Sequence, residues 1–321
     1  MPSPALALGI DIGGTKMAVA VVDVPGAIRV RETLATEAEQ GFPRAVERLT
    51  AAAERLLQSC GCRPDQLSGI GIGCAGPVDP RRGLINNPYT LTGWNACDIV
   101  SPLHARFGRP VYLENDADAA ALGECFAGAG SGFSPVVMLT FGTGIGGSVI
   151  VDGQIYRGAN GEHPELGHIP ISRDGPLCYC GIRGCLESLA SGAAIGNAGH
   201  NGGFQDARHV FAAARQQQAA AQAIVARAVD AAATAAWTIC HTFLPQRLIL
   251  GGGMMDDQFD LFAQAMKERL STATQFSRDG VSITRAALGN DAGVIGAASI
   301  PLRHASLDQS TRPDQTAGQP T

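Results

Sequence analysis

The fold is decided by the stretch LGIDIGGTKMAVAVV at residues 8–22. Two apolar runs, Ala5 to Ile12 and Met17 to Val22, flank a turn at Gly13-Gly14. A third run, Ile28 to Leu34, alternates between apolar and polar residues. Short apolar runs separated by glycine turns are typical of consecutive strands, so the chain is predicted to begin with a β-meander.

The same layout returns at residues 135–151, PVVMLTFGTGIGGSVIV. A strand from Pro135 to Phe141 leads into a glycine turn at Thr143 to Gly147, and a second strand runs from Ser148 to Val151. Two copies of one unit indicate an α/β protein with two similar lobes and a cleft between them. A chance pair of glycine-rich turns would explain the repeat equally well.

Domain boundaries are predicted from this repeat. We expect an N-terminal lobe at residues 1–118, completed by a helix near 294–305, and a C-terminal lobe at 119–293. The polar tail at 306–321 is predicted to be disordered. A long helical region is predicted at 205–244, rich in alanine.

Composition excludes several classes of partner. The 321 residues are 45% apolar and 17% charged, which is normal for a water-soluble protein. A net charge of −5 gives no reason to expect nucleic acid or an anionic membrane as partner. With no basic leader and no apolar stretch of about 18 residues, we expect a cytoplasmic protein. Nine cysteines, an odd number, argue against a disulfide framework.

Three glycine loops are candidates for binding phosphate. Glycine lets backbone N–H groups approach phosphate oxygens closely, and a nearby aspartate oxygen suits Mg²⁺. Neither a Walker A pattern nor a Rossmann fingerprint is present. The candidate residues are Asp11, Gly13, Gly14, Thr15 and Lys16 in the first loop, Gly142, Thr143, Gly144, Gly146 and Gly147 in the second, and Gly251, Gly252 and Gly253 in the third.

Asp116 is the candidate general base. It lies in the segment Glu114-Asn115-Asp116-Ala117-Asp118, between a predicted strand and a predicted helix. A hydroxyl that attacks a phosphoryl group needs a carboxylate within hydrogen-bond reach to accept its proton. The same residue types also cap helices, so Asn115 or Asp116 could serve only to start the helix at Ala117.

A cluster of cysteines predicts a metal site. Cys178, Cys180 and Cys185 follow the sequence Glu165-Leu166-Gly167-His168, and three cysteines with one histidine complete a tetrahedral set for Zn²⁺. Because such a set leaves no open position, the zinc is predicted to be structural. Buried free thiols are the alternative. Glu165 and Glu187 flank the site and are predicted to accept hydrogen bonds from sugar hydroxyls, and His163 has no assigned role.

From about Leu8 to Ile300, these motifs together resemble the ROK family of bacterial sugar kinases and repressors. The matching segments are Asp11 to Lys16, Glu114 to Ala117, Gly142 to Gly147, and Glu165-x-Gly-His168 with Cys178-x-Cys180-Gly-x-x-Gly-Cys185-x-Glu187.

The resemblance implies an actin-like ATPase fold with two ribonuclease H-like lobes. It implies a kinase that uses ATP, Mg²⁺ and a structural Zn²⁺ on His168 and the three cysteines, with a hexose as substrate and Asp116 as base, and dimers are common in the family. The sugar-binding residues are then expected to be Gly76, Asn87, Thr90, Asn115, Asp116, Glu165, His168 and Glu187.

The sugar itself stays open at this point. Thr90-Leu91-Thr92-Gly93-Trp94 departs from the Asn-Leu-x-x-Trp of many family glucokinases, although Asn87 stands close by. His163-Pro164-Glu165 is more like the family's fructokinases, and Asp174-Gly175-Pro176 is more like its N-acetylmannosamine kinases. We therefore expect phosphorylation of glucose or an N-acetylhexosamine at the 6-hydroxyl, with fructose as the alternative substrate.

Non-kinase readings fit less well. The family's repressors carry a helix-turn-helix domain ahead of the kinase-like part, and here the first loop already begins at Gly9. A sugar sensor also has no need of the base at Asp116. A non-catalytic chaperone or filament protein of the same fold would not need the zinc signature, and a dehydrogenase would need a strand–glycine loop–helix with a downstream acid.

Overall fold

The computed structural model describes residues 5–274 and 280–310. Its strands are β1 Leu6–Ile12, β2 Lys16–Asp23, β3 Ile28–Ala35, β4 Leu67–Cys74, β5 Val78–Asp79, β6 Leu84–Asn87, β7 Trp94–Asp98, β8 Val111–Asn115, β9 Val136–Phe141, β10 Ile145–Val151, β11 Gln154–Ile155, β12 Arg247–Gly251 and β13 Ser282–Arg285.

The helices lie between and after these strands. They are α1 Phe42–Ser59, α2 Val100–Phe107, α3 Asp116–Ala127, α4 Leu186–Ala190, α5 Gly192–Gly199, α6 Ala207–Arg215, α7 Ala219–Phe243, α8 Met255–Ser271 and α9 Ala292–Ser310.

The first unit ends at Ala127 and resumes at Asn290. Its five-stranded sheet has the order β3-β2-β1-β4-β8, in which β1, β2 and β3 form the predicted antiparallel meander. Strands β4 and β8 add to β1 in parallel. Both central strands are almost wholly apolar, as expected where helices cover a parallel sheet. The carboxyl ends of β1, β4 and β8 therefore meet at one edge.

The second unit runs from Gly128 to Gly289 and repeats the design. Its sheet has the order β11-β10-β9-β12-β13, with an antiparallel hairpin of β9 and β10 and two parallel strands, β12 and β13, beside β9. A hairpin at Asp152-Gly153 joins β10 to β11, and both residues have positive φ. The repeat seen in the sequence thus corresponds to two sheets of matching construction.

The division between the units differs from the predicted one at 118/119. Helix α3 belongs to the first unit because it packs against α9, which also covers β1 and β4. Helix α9 runs to Ser310, so the predicted end of ordered structure at residue 305 is too early. The rest of the predicted tail, residues 311–321, lies outside the described residues.

Two further features differ from the sequence prediction. The helical region predicted at 205–244 consists of two helices, α6 and α7, which separate where Gln217 adopts a positive φ of 63°. A small three-stranded sheet, β5-β6-β7, was not predicted, because strands of two to five residues carry too little apolar alternation to detect.

Helix α7 is a core helix of the second unit. By length and composition alone it could cross a membrane, with a mean hydropathy of 1.3 over its most apolar 18 residues. The prediction that no apolar stretch reaches that length is therefore wrong for this alanine-rich helix. More than half of the stretch is buried, and Val225, Ala232 and Ile239 lie in the same apolar core as Phe262.

The contact between α3 and α9 yields a test of the fold. A Cβ on Gly296 would lie 1.7 Å from the carbonyl oxygen of Ala119, and one on Gly123 would lie 2.3 Å from that of Ala292. Gly296→Ala must therefore push the helices apart, and we expect a loss of about 1–3 kcal/mol in the free energy of unfolding. Urea titration measures this loss. Gly280→Ala is the control, since a Cβ there meets nothing within 4 Å. Equal stability of the two variants would contradict the packing.

Candidate active site

Two aspartates meet at the carboxyl edge of the first sheet. Asp11 is in β1 and Asp116 follows β8, on either side of β4. A Cβ placed on Gly73 of β4 would lie 3.7 Å from Oδ1 of Asp11 and 3.9 Å from Cα of Asp116. Ligands of open α/β sheets bind at this edge of the strands. The structure therefore brings together the predicted base and the predicted magnesium ligand.

The environment of Asp11 disfavours its negative charge. Burial and the charge of Asp116 raise the pKa of Asp11 and Lys16 partly offsets them, which leaves this pKa at about 6. The carboxylate also lies against Gly293 in the first turn of α9. A divalent cation would relieve the repulsion within this carboxylate pair, so the residues present fit Mg²⁺.

The first glycine loop is a closed hairpin. The N–H of Gly13 donates to the carbonyl oxygen of Lys16 at 2.9 Å, and the hydroxyl of Thr36 donates to the carbonyl oxygen of Gly13 at 2.6 Å. Gly14 and Thr15 form the exposed turn of this hairpin. The ammonium group of Lys16 lies 3.4 Å from Oδ1 of Asn290.

Asp116 also takes part in starting α3. The N–H of Ala117 donates to Oδ1 of Asn115 at 2.8 Å and to Oδ1 of Asp116 at 2.9 Å. The capping role considered from the sequence is therefore present in the structure. It does not exclude a chemical role, because a carboxylate has about four acceptor positions.

Asn87 organises the predicted sugar loop. Its Nδ2 donates to the carbonyl oxygen of Ala75 at 3.0 Å and to Oγ1 of Thr90 at 2.7 Å. Its Oδ1 accepts from the N–H groups of Tyr89 and Thr90, both at 2.9 Å. These four bonds exhaust the capacity of a carboxamide. Asn87 is also 1% exposed, so in this structure it shapes the loop, and its contact with a sugar stays a prediction.

Two other predicted sugar residues of the first unit, Gly76 and Thr90, lie against residues that were also predicted to belong to the site. Gly76 lies against Asn115, whose Nδ2 would be 2.5 Å from a Cβ at position 76. Thr90 lies against Gly14 of the first glycine loop, 3.2 Å from the position of its missing Cβ.

In the second unit, the second glycine loop is hydrogen-bonded to the start of α5. The N–H of Gly142 donates to the carbonyl oxygen of Gly144 at 2.9 Å and closes the turn. The N–H groups of Gly192 and Ala193 donate to the carbonyl oxygens of Gly142 and Thr143 at 2.8 and 3.1 Å. The carbonyl oxygens of the turn are thereby fixed, and its candidate donors to a ligand are the N–H groups of Thr143 and Gly144.

The turn is shorter than predicted. Gly146 and Gly147 lie in β10 and pair with Thr140 and Leu139, whereas the sequence placed them in the turn. Their amides belong to the strand ladder, so the residues that can donate to a phosphate are concentrated at 142–144.

The third glycine loop meets the second at Phe141. Gly251 ends β12, and the N–H of Met254 donates to the carbonyl oxygen of Phe141 at 3.1 Å. Gly252 has a φ of 86°, and a Cβ there would lie 2.4 Å from the same oxygen. Only glycine satisfies both the positive φ and this approach. Gly253, which follows, has open space around it.

The four predicted zinc ligands converge. One ligand atom from each of His168, Cys178, Cys180 and Cys185 lies within 4.8 Å of all the others. The Sγ atoms of Cys180 and Cys185 are 3.5 Å apart, and Sγ of Cys178 is 3.5 Å from Nδ1 of His168. Tetrahedral ligands about 2.3 Å from one centre lie about 3.8 Å apart, so this donor set fits Zn²⁺.

The turn that carries His168 is packed on β10. Leu166 is buried against Gly147, and Gly167 lies against the carbonyl oxygen of Ile145. Glu165 precedes this turn with an exposed side chain, and its Oε1 lies 3.6 Å from Nε2 of His163. His163, which the sequence left unassigned, is thus a neighbour of a predicted sugar ligand.

Glu187 links the zinc cluster to the second glycine loop. Its Oε2 accepts the N–H of Ile145 at 2.7 Å, directly after the turn.

Tyr179, between two of the cysteines, was missed by the sequence analysis. Its hydroxyl lies 3.1 Å from Nε2 of His168, and the negative charge of Glu187 is near enough to act on it. Its position between two predicted ligands, as the middle residue of Cys-x-Cys, was the sequence signal that could have indicated a contact with the cluster.

A parallel sheet extended by an antiparallel glycine hairpin, built twice in one chain, defines the class as actin-like ATPases. Within this class, a cluster of one histidine and three cysteines beside the second hairpin distinguishes a smaller group of proteins. The chain belongs to the ROK family, which matches residues 7–304.

Characterised relatives differ in the sugar they use. The chain is 36% identical to a glucokinase of Thermotoga maritima, with 91% of this chain and 96% of the relative covered. It is 33% identical to an N-acetylmannosamine kinase of Vibrio cholerae, with 91% and 97% covered. Among solved structures, it resembles a ROK glucokinase of Streptomyces griseus in complex with glucose and AMPPNP, with a TM-score of 0.71, 31% identity, and 93% and 100% covered.

Loss of one thiolate tests the zinc cluster. Cys180→Ser removes one of four ligands, so the variant is expected to lose bound zinc and to unfold at a lower temperature. Metal analysis by mass spectrometry and a thermal melt measure the two effects. Cys60→Ser, outside the cluster, should keep both values. Full zinc content in Cys180→Ser would refute the Cys₃His site.

Removal of the Asp11 charge tests the carboxylate pair. Since the pKa of Asp11 is raised from 3.8 to about 6, the native state binds its proton more tightly than the unfolded chain does. Stability of the ligand-free protein therefore falls as the pH rises through this range, by about 3 kcal/mol at pH 7. Asp11→Asn should melt higher than wild type at neutral pH and much closer to it near pH 4, as calorimetry would show.

The same variant should lose its response to nucleotide. Mg²⁺ with an ATP analogue is expected to raise the melting temperature of the wild type and not that of Asp11→Asn. A variant that is less stable than wild type at pH 7 would contradict the pKa assignment of Asp11.

Proposed function

We propose that this chain is an ATP-dependent kinase that phosphorylates a hexose or an N-acetylhexosamine, at its 6-hydroxyl. The observation that carries the proposal is the position of Asp116 beside the buried Asp11 at the carboxyl edge of the first sheet. Family membership and the sugar-kinase relatives support it.

Asp116 acts as the general base in this proposal. Its carboxylate accepts the proton of the attacking sugar hydroxyl, while the Ala117 N–H holds one of its oxygens in place. Asn115 is held by the same N–H and is proposed to contact the sugar. Asp11 would hold Mg²⁺, which would neutralise charge that develops on the phosphate oxygens.

Each unit has candidate donors for phosphate. In the first unit these are the N–H groups of Gly14 and Thr15 and the ammonium group of Lys16. In the second unit they are the N–H groups of Thr143 and Gly144, since the N–H of Gly142 is already bonded within the turn. The third glycine loop, Gly251 to Gly253, is proposed to approach the nucleoside side.

The zinc cluster positions the sugar contacts of the second unit. Glu165 and His168 flank a turn packed on β10, and Glu187 lies in α4, two residues after Cys185. A closed four-ligand site holds these groups in place and takes no part in phosphoryl transfer. A cytoplasmic homodimer, as expected from the family resemblance, completes the proposal, and light scattering tests the assembly.

Asp116→Asn separates catalysis from helix capping. An asparagine oxygen still accepts the Ala117 N–H but is too weak a base for proton transfer. We expect turnover to fall at least about a hundredfold, with a much smaller change in sugar affinity and in melting temperature. Asp98→Asn is the matched control, because Asp98 accepts the N–H of Ser101 at the start of α2. Retained turnover in Asp116→Asn would overturn the assignment of the base.

A substrate panel tests the function as a whole. Zinc-replete protein with ATP and Mg²⁺ is assayed for ADP release with glucose, N-acetylglucosamine, N-acetylmannosamine, mannose, fructose and allose. One clearly preferred sugar, with the phosphorylated position read by NMR, would establish the kinase and its substrate. No release with any of these sugars would contradict the proposal and favour a sugar-binding regulator.

A further inference from the structure

Tyr179 occupies an unusual place in the zinc turn. Its ring is 81% exposed, in a loop closed by the bond from the N–H of Cys178 to the carbonyl oxygen of Ile182. Its hydroxyl end is instead turned toward the cluster, with the ring edge-on to that of His168 at 5.1 Å. The side chain is therefore held mainly at its tip, by polar contacts.

Those contacts connect His168 to Tyr179. Nδ1 of His168 faces Cys178, so the proton of a neutral imidazole that ligates a metal through Nδ1 lies on Nε2. This N–H donates to the hydroxyl of Tyr179 at 3.1 Å. The hydroxyl also lies within reach of the negative charge of Glu187, whose Oε2 accepts the N–H of Ile145.

These contacts involve side chains that are proposed to bind the sugar. Under the proposed function, on which this inference rests, His168 and Glu187 bind sugar hydroxyls. The Nε2 of His168 carries one proton and makes one good hydrogen bond, so it cannot serve Tyr179 and a sugar fully at the same time.

We propose that Tyr179 is a specificity-determining residue, whose hydroxyl stands in for a sugar hydroxyl between His168 and Glu187 and whose ring limits the size of the substituent admitted there. A sugar displaces the phenol when it binds. Displacement is easy because the exposed ring has little apolar contact to give up. A hydroxyl replaces the lost bonds in kind, whereas a bulkier acetamido group must compete with the ring for space.

Two variants at position 179 test the proposal in the zinc-loaded enzyme. Tyr179→Phe keeps the ring and removes the competing hydroxyl, so the KM and the calorimetric Kd for the preferred sugar should fall about two- to tenfold, with the KM for ATP and the zinc content unchanged. Tyr179→Ala removes the ring as well, so kcat/KM for N-acetylhexosamines should rise relative to the parent hexoses. Tyr156→Phe, which alters a half-exposed tyrosine packed against Phe243, is the control.

The outcomes separate this inference from the proposed function. A lower KM in Tyr179→Phe together with the shifted preference of Tyr179→Ala supports it. An active wild type with an unchanged or higher KM in Tyr179→Phe, or an unchanged preference in Tyr179→Ala, overturns it alone. A wild type that neither binds nor phosphorylates any sugar overturns both.

Discussion

The hydrogen bond from the N–H of Ile145 to the carboxylate of Glu187 joins the second glycine loop to the segment that carries the Cys/His cluster. Ile145 begins β10 directly after the glycine turn, and Glu187 lies in α4 just after the last cysteine. A buried or half-buried amide left without this acceptor would cost about 1–3 kcal/mol. This one bond therefore ties the glycine turn to the helix that follows the Cys/His cluster. Gly167 adds a steric limit, because it packs on the carbonyl oxygen of the same Ile145.

The first unit differs from the second in the groups that it presents. It places Asp11 and Asp116 near each other at the edge of a parallel sheet, where burial and the neighbouring carboxylate raise the pKa of Asp11. At the glycine turn of the second unit, the carbonyl oxygens of Gly142 and Thr143 accept N–H groups from the start of α5. The shared sheet design therefore carries acidic side chains at the sheet edge of one unit and a backbone turn fixed by a helix in the other.

Much of this could be read from the sequence, and the exceptions have physical causes. The meander of β1 to β3 was predicted, since short apolar runs separated by glycine turns are typical of consecutive strands. The convergence of His168 with the three cysteines was expected because the spacing of the predicted ligands is local. The roles of Asn87 and Tyr179 were not, because each depends on bonds that exist only once a loop has closed. The break before α7 was missed because it lacks glycine and proline and rests on Gln217 in a left-handed conformation.

Helix α9 bears on how the protein is made. The sheet of the first unit is complete by Asn115, yet the face formed by β1 and β4 is covered by a helix that begins at Ala292. During synthesis the second unit, which is continuous from Gly128 to Gly289, can therefore fold while the first still exposes an apolar sheet. The ribosome must deliver nearly the whole chain before that surface is covered, so this nascent chain depends on chaperone protection for longer than its sequential order of strands suggests.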